Sequence, residues 1–313
     1  MIEIKNLIKS FGSNNVLKGV NLKLETSKTT VVIGSSGCGK SVLLKHIIGL
    51  LKPDEGEILI NGNDITKMKG KELYEMRNRF GFLFQSAALF DSMTVAENVG
   101  LGLVENNHMS PSQIKAIVDE KLELVDLQST QNLKPSELSG GMKKRVGLAR
   151  ALACNPEFIL YDEPTTGLDP ITASSIDQLI HSLAINPKLK VTSIVVTHDI
   201  FSVYAVADRV AMMHDGVIHF EGTPEELENT TDHIVRDFLE RTEKRLERKC
   251  PSCCGQISCA HHRSRLSDKS YAVAANHGKS GNLGSGYDRI HTEIPPELDS
   301  VQLQSELRSL ITY

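Results

Sequence analysis

A glycine-rich stretch near the amino terminus, GSSGCGKS at residues 34–41, has the residue types and spacing of a loop that binds nucleotide phosphates. Its glycines permit a backbone path that points successive N–H groups at phosphate oxygens, and a helix starting here adds partial positive charge. In such a loop Lys40 reaches the β- and γ-phosphates, and the Ser41 hydroxyl binds Mg²⁺. The candidate phosphate-binding residues are Gly34, Ser35, Ser36, Gly37, Cys38, Gly39, Lys40, Ser41 and Val42. An ordinary glycine turn is the alternative, but the predicted strand and helix on either side favour the phosphate loop.

Two acidic residues, Asp162 and Glu163, end the apolar run in FILYDEP. A continuous apolar run is typical of a strand buried on both faces of a parallel sheet, and ligands bind at the carboxyl ends of such strands. Asp162 is therefore the candidate for holding Mg²⁺, directly or through water, and Glu163 for polarising the attacking water. Taken alone, the pair fits a solvated acidic turn equally well.

A second candidate anion site lies in ELSGGMKKRVGLARAL, where Ser139 precedes two glycines and a long amphipathic helix. Ser139 is a good N-cap, and Gly140 and Gly141 leave backbone N–H groups accessible. The simple interpretation is a loop-to-helix cap. The sharper hypothesis is that this helix N-terminus binds the γ-phosphate of a nucleotide held by a different subunit.

The elements that must position these residues alternate between strand and helix. Two strand-like segments precede TTVVIG, which runs into the glycine loop, and KSVLLKHIIGLL follows with helical spacing. Helical patterns dominate residues 94–153, and alternation resumes with FILYDEP, a helix from about Ile171, VTSIVVTH, a short helix and RVAMMHDGVIHFEG. TPEE at residues 223–226 opens a final helical region that continues to about Lys249. This order predicts an α/β nucleotide-binding core with a helical insertion.

Length and composition limit the classes of protein to which this chain can belong. The chain has 313 residues, 40% of them hydrophobic, which is enough to bury a sizeable core. A net charge of -4 gives no overall positive field to attract nucleic acid or anionic lipid. Apolar runs such as TVVIG fall far short of the roughly 20 residues of a transmembrane helix, and MIEIKNLIKSFG lacks the order of a secretory signal. We therefore expect a cytosolic protein with reduced cysteines that neither spans a membrane nor binds nucleic acid.

Six motifs occur in the order GSSGCGKS, FLFQS, LSGGM, ILYDEP, GLDP and VVTHD. Over about residues 1–240 this order resembles the ATP-binding subunit of ABC transporters. The resemblance implies ATP and Mg²⁺ as ligands and an α/β fold of the P-loop NTPase type, with a RecA-like parallel-sheet core, an antiparallel β subdomain and a helical subdomain at about residues 92–153. The ATP-binding domain then covers residues 1–241, and a C-terminal extension covers residues 242–313. Beyond Cys250 this extension is rich in Ser, Gly, Asn and His, a composition that predicts a flexible tail.

The resemblance also implies roles for individual residues. Phe11 matches the aromatic residue that stacks on adenine. Gln85 matches the glutamine that senses Mg²⁺ and the attacking water beside the membrane-subunit contact, and His198 matches the histidine that contacts the γ-phosphate. Asp169 matches the loop that couples the two sites of a dimer. The signature residues that close on the ATP of the partner are Ser139, Gly140 and Gly141.

These matches complete the predicted site. The predicted catalytic residues are Glu163, His198 and Gln85, and the predicted Mg²⁺ ligands are Ser41, Gln85 and Asp162. Two positions depart from the family pattern, because Met142 stands where glutamine is usual and Val42 where a hydroxyl residue is usual. Backbone N–H groups do most of the phosphate binding at both positions, so we expect activity to survive.

Within the family, ELYEMRNRFGFLFQSAALFDSMTVAENV and LYDEPTTGLDPI look most similar to the ATPase of MCE-associated phospholipid transporters of the Mla type. This implies three partners: a second copy of the chain, an integral membrane permease and an MCE-domain lipid-binding protein. The place of action is then the cytoplasmic side of the inner membrane. The alternatives are the ATPase of another importer, for an amino acid or other small solute, and a non-transport ABC ATPase. A GTPase is disfavoured because no NKxD-type guanine-reading motif occurs.

Two features of the C-terminal extension carry separate hypotheses. KCPSCCGQISCAHH supplies enough soft ligands for a tetrahedral Zn²⁺ site, with Cys250, Cys253, Cys259 and His261 as candidates. Reduced thiols in a disordered segment are the alternative. The stretch at about residues 297–311 places apolar residues near one helical face after a proline start, so it predicts an amphipathic helix that docks on the neighbouring ATPase subunit or on the permease.

Overall fold

The computed structural model describes residues 1–105 and 109–249 of the chain. Its strands in this part of the chain are β1 (Ile2–Phe11), β2 (Asn14–Leu24), β3 (Thr29–Ile33), β4 (Glu55–Ile60), β5 (Asn63–Asp64), β6 (Phe80–Leu83), β7 (Phe158–Asp162), β8 (Thr192–Thr197), β9 (Arg209–His214) and β10 (Val217–Gly222). Its helices in the same part are α1 (Lys40–Ile47), α2 (Gly70–Arg77), α3 (Val95–Glu105), α4 (Pro111–Leu124), α5 (Gly140–Ala153), α6 (Pro170–Ala184), α7 (Ile200–Val206), α8 (Pro224–Asn229) and α9 (His233–Lys249). The alternation agrees with the order of elements predicted from the sequence.

The central sheet has the strand order β10-β9-β3-β8-β7-β6 within the described residues. Its strands run parallel except β10, which pairs antiparallel with β9 at one edge. Every residue of β3, β7 and β8 is buried, as expected for apolar runs covered on both faces. The register sets Ile33 opposite Thr197 and Asp162 opposite Val196. The segments that follow these strands therefore leave the sheet at one edge.

A second sheet, with strand order β2-β1-β4-β5, is the predicted antiparallel β subdomain. Its buried residues form a first hydrophobic core together with one face of the central sheet. The opposite face of the central sheet packs against helices and forms a second hydrophobic core. β3 shows this division, because Val32 belongs to the first core while Val31 and Ile33 belong to the second. Each large apolar side chain buried in this way contributes about 1.5–3 kcal/mol. Packing on both faces makes the central sheet a rigid base for the loops at its edge.

A helical layer of α3, α4 and α5 lies within the range predicted for the helical subdomain. α4 begins with a capping box. The Ser110 N–H donates to the Gln113 side chain, the Gln113 N–H donates to the Ser110 hydroxyl, and Pro111 occupies the first helical position. Both α3 and α4 pack against α5, so α5 joins the helical layer to the central sheet beside β6.

A chain of buried polar side chains joins α6, α7 and the loop after β7. Ser202 donates to Asp177 Oδ2 at 3.0 Å, and the Ser202 hydroxyl lies 3.4 Å from Thr165 Oγ1. Within the described part of the chain Asp177 Oδ1 has no hydrogen-bond partner, and only 5% of Asp177 is exposed. Burial outweighs the hydrogen bond from Ser202 and, with the nearby Asp199, raises the pKa of the Asp177 carboxyl to about 7.

Three of the sequence predictions lie outside the described residues: the flexibility of the extension beyond Cys250, the Zn²⁺ site and the terminal helix at about residues 297–311. Of the proposed zinc ligands, Cys250, Cys253, Cys259 and His261, none is described. None of the helices in residues 1–105 and 109–249 combines the length and the hydropathy needed to cross a bilayer.

Asp177→Asn should change how stability depends on pH. In the fold the carboxyl keeps its proton to about pH 7, against an ordinary pKa of 3.8. The folded state therefore binds more protons than the unfolded state between these values, so wild-type stability falls as the pH rises from about 4 to about 7. Asparagine removes this dependence. We expect calorimetry to give the variant a higher melting temperature than the wild type at about pH 8, and a clearly smaller difference at about pH 5, where only part of this decline has occurred.

The control is Asp91→Asn, which changes an exposed aspartate. It should keep the pH dependence of the wild type. Parallel stability profiles for the wild type and Asp177→Asn would contradict a buried, protonated carboxyl.

Candidate functional site

The glycine loop connects β3 to α1 at the carboxyl edge of the central sheet. Gly39, immediately before α1, has φ +105°, and a Cβ at Gly34 would collide with the backbone oxygen of Met213. These two positions accept only glycine without strain or displacement, because a side chain rarely adopts that φ and the Met213 backbone cannot move aside. Ser36 and Gly37, near the middle of the loop, are exposed. The loop thus presents its backbone to solvent directly ahead of a helix N-terminus, as a phosphate site requires.

Lys40 folds back over the loop that precedes it. Its Nζ donates to the backbone oxygens of Gly34 at 2.8 Å and Ser35 at 3.0 Å, and the residue is only 6% exposed. A cavity of about 580 Å³ opens beside it, lined by Val16, Ser36, Gly37, Gly39, Lys40, Ser41, Val42, Gln85, Glu163, Thr166 and His198. The ammonium is therefore held at the wall of a cavity large enough for part of a nucleotide.

The Ser41 hydroxyl donates to Asp162 Oδ1 at 2.9 Å, which joins the start of α1 to the end of β7. Burial raises the pKa of the Asp162 carboxyl, and the hydrogen bond from Ser41 opposes that shift. A hydroxyl and a buried carboxylate side by side are the hard oxygen ligands that Mg²⁺ prefers. The donor set fits the predicted metal ion.

Glu163 follows directly with a left-handed backbone, φ +49°, which is uncommon outside glycine and typical of strained functional positions. Its N–H donates to the backbone oxygen of Val196 at 2.9 Å. The Glu163 carboxylate lies 2.8 Å from His198 Nδ1, and Thr166 Oγ1 donates to it at 2.9 Å. Burial disfavours the charged form, but the hydrogen bonds from His198 and Thr166 outweigh it and lower the pKa of Glu163. The contact with Glu163 in turn raises the pKa of His198.

Gln85 follows β6 and begins a turn over residues 85–88. Its side chain is exposed and lines the same cavity as Lys40 and Glu163. Ala87 and Ala88, within this turn, are both buried and have left-handed backbones, with φ +61° and +46°. The position of Gln85 therefore depends on a strained turn that no glycine or proline announces in the sequence.

Phe11 lies at the end of β1 and is 47% exposed. The Lys9 ammonium lies 5.5 Å from its ring centroid, within range of a cation–π contact. Phe11 is not among the residues that line the cavity, whereas Val16 of β2 is. The ring is thus accessible to a planar ligand such as adenine, but it stands apart from the phosphate end of the site.

The signature residues and Asp169 form a separate surface at the adjacent N-termini of α5 and α6. Ser139 caps α5 by accepting the Met142 N–H at 3.3 Å, and Asp169 caps α6 by accepting N–H groups of residues 171 and 172. Gly141 touches α6, since a Cβ there would lie 2.5 Å from Thr172 Cγ2. Ser139, Gly140, Gly141 and Asp169 all lie outside the lining of the cavity. One chain therefore carries the two predicted halves of the site on different surfaces.

Two residues that line the cavity, Thr166 and Val16, are not among the site residues predicted from the sequence. Thr166 stands three residues after Glu163 in EPTT, and this spacing across a turn could have indicated a hydrogen bond to the acid. Val16 gave no such signal, because an apolar residue in an alternating strand looks the same whether it faces the core or a ligand.

The fold and this site define a class of protein. A parallel α/β core with a glycine loop between β3 and α1, and with adjacent carboxylates at the end of β7, is the arrangement of a P-loop nucleotide hydrolase.

Comparisons with known proteins narrow this class. A family model described as ABC transporter matches residues 17–166. The chain is 44% identical over 238 residues to the probable ribonucleotide transport ATP-binding protein mkl of Mycobacterium leprae, covering 76% of this chain and 68% of that protein. It is also 44% identical over 239 residues to the intermembrane phospholipid transport system ATP-binding protein MlaF of Haemophilus influenzae, covering 76% of this chain and 90% of that protein. The chain belongs to the family of ABC transporter ATP-binding proteins and is an ATPase of that family.

A solved structure agrees with this assignment. The ATP-binding cassette MJ0796, in a dimeric post-hydrolysis state bound to ADP and Pi, superposes with a TM-score of 0.65 at 36% identity, covering 72% of this chain and 99% of that chain. The predicted ABC-type fold and ATP as the nucleotide are thereby confirmed.

Gly141→Ala should destabilise the fold by a clash that a second substitution removes. The added methyl group would overlap Thr172 Cγ2, and such overpacking typically costs about 1–3 kcal/mol. Thr172→Ser deletes that methyl group but keeps the hydroxyl that donates to Asp169 at 2.5 Å. We expect Gly141→Ala to lower the melting temperature by several degrees in the wild-type background, and by much less in the Thr172→Ser background.

Gly140→Ala is the control. There the added atom would lie 3.3 Å from the end of the flexible Leu168 side chain, so the loss of melting temperature should be smaller. An equal loss for Gly141→Ala in both backgrounds would contradict the packing described between α5 and α6.

Proposed function

We propose that this chain hydrolyses ATP to drive an ABC transporter that moves phospholipid between membranes. The observation that supports phospholipid as the transported substrate is the similarity to the MlaF protein of Haemophilus influenzae, which extends at 44% identity over 90% of that protein. The phospholipid itself would not touch the chain, so the assignment concerns the transporter that the chain serves.

The residues around the cavity have separate roles in binding ATP and Mg²⁺. The glycine loop binds the phosphates through its N–H groups, and Lys40, already held over the loop, adds positive charge at the β- and γ-phosphates. Phe11 stacks on adenine. Ser41 and Asp162 would hold Mg²⁺ with Gln85 beside them, and the ion would neutralise charge on the phosphates.

Glu163 and His198 act at the γ-phosphate end. Because hydrogen bonds from His198 and Thr166 lower its pKa, Glu163 stays ionised at neutral pH and offers a fixed carboxylate to the attacking water. A carboxylate with a lowered pKa is a weak base, so its main effect is to orient and polarise the water. His198 holds Glu163 in place and contacts the γ-phosphate.

A second copy of the chain completes the site. Ser139, Gly140 and Gly141 lie outside the cavity of their own chain, at a helix N-terminus with no acidic residue in its first turn. Ser139 and Gly140 are exposed there, whereas Gly141 is buried against α6. Such an N-terminus favours a bound anion. In a twofold dimer each signature closes on the ATP of the other chain, Asp169 lies between the two sites, and loss of the γ-phosphate opens the dimer.

The membrane partners are an integral permease and an MCE-domain lipid-binding protein. The chain then works as a peripheral subunit on the cytoplasmic side of the inner membrane, and the partners carry the substrate. One observation favours a second substrate class, because the relative in Mycobacterium leprae is named for ribonucleotide transport. The two classes differ in the partners and the ligand they require.

Glu163→Gln should separate ATP binding from hydrolysis. Glutamine keeps the shape of the side chain but loses the charge that polarises water, so we expect turnover to fall by about a hundredfold or more. The loop of Lys40 is untouched, so the affinity for ATP should stay within about twofold. Steady-state phosphate release and equilibrium binding of ATP measure the two effects, and size-exclusion chromatography with ATP should show a persistent dimer.

The control is Glu225→Gln, at an exposed position in α8 that does not line the cavity, which should leave turnover unchanged. Normal turnover in Glu163→Gln would overturn the role given to this carboxylate.

Purification of the tagged full-length chain from detergent-solubilised membranes tests the transporter. We expect mass spectrometry to identify an integral permease and an MCE-domain protein, and lipid extraction to recover phospholipid with the complex. An untagged chain processed in parallel provides the control. Recovery with an amino-acid permease and a soluble binding protein, or with bound nucleotide substrate and no phospholipid, would contradict phospholipid transport.

A further inference from the structure

Lys144 is a buried lysine on the first turns of α5, five residues after the cap at Ser139. It is only 5% exposed, whereas the neighbouring Lys143 is partly exposed. Lysine is rarely buried unless its ammonium group is paired, so the environment of this residue calls for an explanation. The sequence offered none, because KK on an amphipathic helix is usually a solvated face.

The ammonium of Lys144 joins two backbone positions of the catalytic site. Its Nζ donates to the backbone oxygen of Gln85 and, at 3.1 Å, to that of Glu163. These residues follow the neighbouring strands β6 and β7 at the carboxyl edge of the sheet. Hydrogen bonds from a charged donor in a buried setting are strong and directional. Lys144 therefore fixes the distance between the helix that carries the signature and the two residues that face the attacking water.

Both backbone positions need support. Glu163 has a left-handed backbone, and Gln85 begins the turn that contains the left-handed Ala87 and Ala88. Conformations of this kind persist where surrounding contacts hold them. At the other end of α5, Arg150 donates to the backbone oxygens of Ala88 and Ala87, both at 2.7 Å. Two side chains of α5, Lys144 and Arg150, thus contact the two ends of the turn that begins at Gln85. Of these two side chains, Lys144 also donates to the backbone of Glu163.

The electrostatics agree with a positioning role. Burial lowers the pKa of the Lys144 ammonium to about 8, although the nearby carboxylates of Asp162 and Glu163 oppose the shift. Its described hydrogen bonds go to backbone carbonyls, so the side chain leaves the Glu163 carboxylate available to water and to His198.

We propose that Lys144 is a positioning residue for ATP hydrolysis, which ties the signature end of α5 to the backbones of Gln85 and Glu163. A displacement of the α5 N-terminus then moves the residues that orient and polarise water, while the phosphate loop stays in place. This inference rests on the hydrolytic function proposed above and names a residue that none of the matched motifs assigns.

The test compares Lys144→Met and Lys144→Arg in the full-length chain, with its co-purified permease where the isolated chain has low activity. Methionine keeps the apolar stem and removes both hydrogen bonds, so we expect the turnover number to fall about tenfold or more while ATP affinity changes less than about threefold. Arginine has donors that can reach both carbonyls, and it should recover most of the turnover.

Lys121→Met is the matched control. Lys121 is an equally buried lysine, 3% exposed, but its ammonium contacts Glu120 and Asn155 away from the cavity. We expect Lys121→Met to lower the melting temperature about as much as Lys144→Met while leaving turnover near that of the wild type. Lys144→Arg keeps the test decisive if the methionine variant does not fold.

Three results would overturn the proposal: normal turnover in Lys144→Met, an equal loss of turnover in Lys121→Met, or a loss of ATP affinity as large as the loss of turnover. Failure of the underlying function is distinguishable. In that case the wild-type chain would not hydrolyse ATP, or Glu163→Gln would be fully active, whatever Lys144→Met does.

Discussion

The site depends on the register of the parallel strands. β3 and β8 align Ile33 with Thr197, and β7 and β8 align Asp162 with Val196, so the glycine loop, the acid pair and the segment of His198 all leave the sheet at one level. These residues are far apart in the chain and cannot find each other through local structure. A shift of one residue in any strand would turn its buried side chains to the opposite face, so packing of both cores specifies the register. The geometry of the candidate site is thus set by apolar contacts beneath it.

On this base, adjacent carboxylates acquire opposite properties. Asp162 is buried with one hydrogen bond from Ser41, and its pKa rises; Glu163 accepts from His198 and Thr166, and its pKa falls. Pairs of acids whose environments separate their pKa values commonly have separate roles. Here the difference follows from the hydrogen-bond partners, because Asp162 accepts from Ser41 whereas Glu163 contacts His198 and accepts from Thr166.

Much of the fold was predictable because short segments of the sequence have patterns typical of particular strands, helices and turns. The continuous apolar run of β7 and the strand–loop–helix unit that starts at β3 carry their own signals, and they led to Lys40, Ser41, Asp162 and Glu163. The roles of Phe11, Gln85, Asp169 and His198 came only from family resemblance. What sequence reasoning could not reach depends on tertiary contacts. Lys143 and Lys144 look alike in the chain, and only the packing of α5 against β6 and β7 separates a solvated lysine from one that binds two carbonyls.

The position of α5 also gives a physical reason for linking two nucleotide sites. Its N-terminus, with Ser139 and Gly140 exposed, has no acidic residue in its first turn, which would favour the anion that a second chain presents in the proposed dimer. One turn further along, Lys144 contacts the backbones of Gln85 and Glu163 in its own chain. A helix is stiff over so short a distance. An anion that draws the N-terminus of α5 toward the partner would therefore also displace Lys144 and strain its two hydrogen bonds. In the proposed dimer, each chain would therefore sense the ATP of its partner at one end of α5 and adjust the hydrolysis of its own ATP a single turn away.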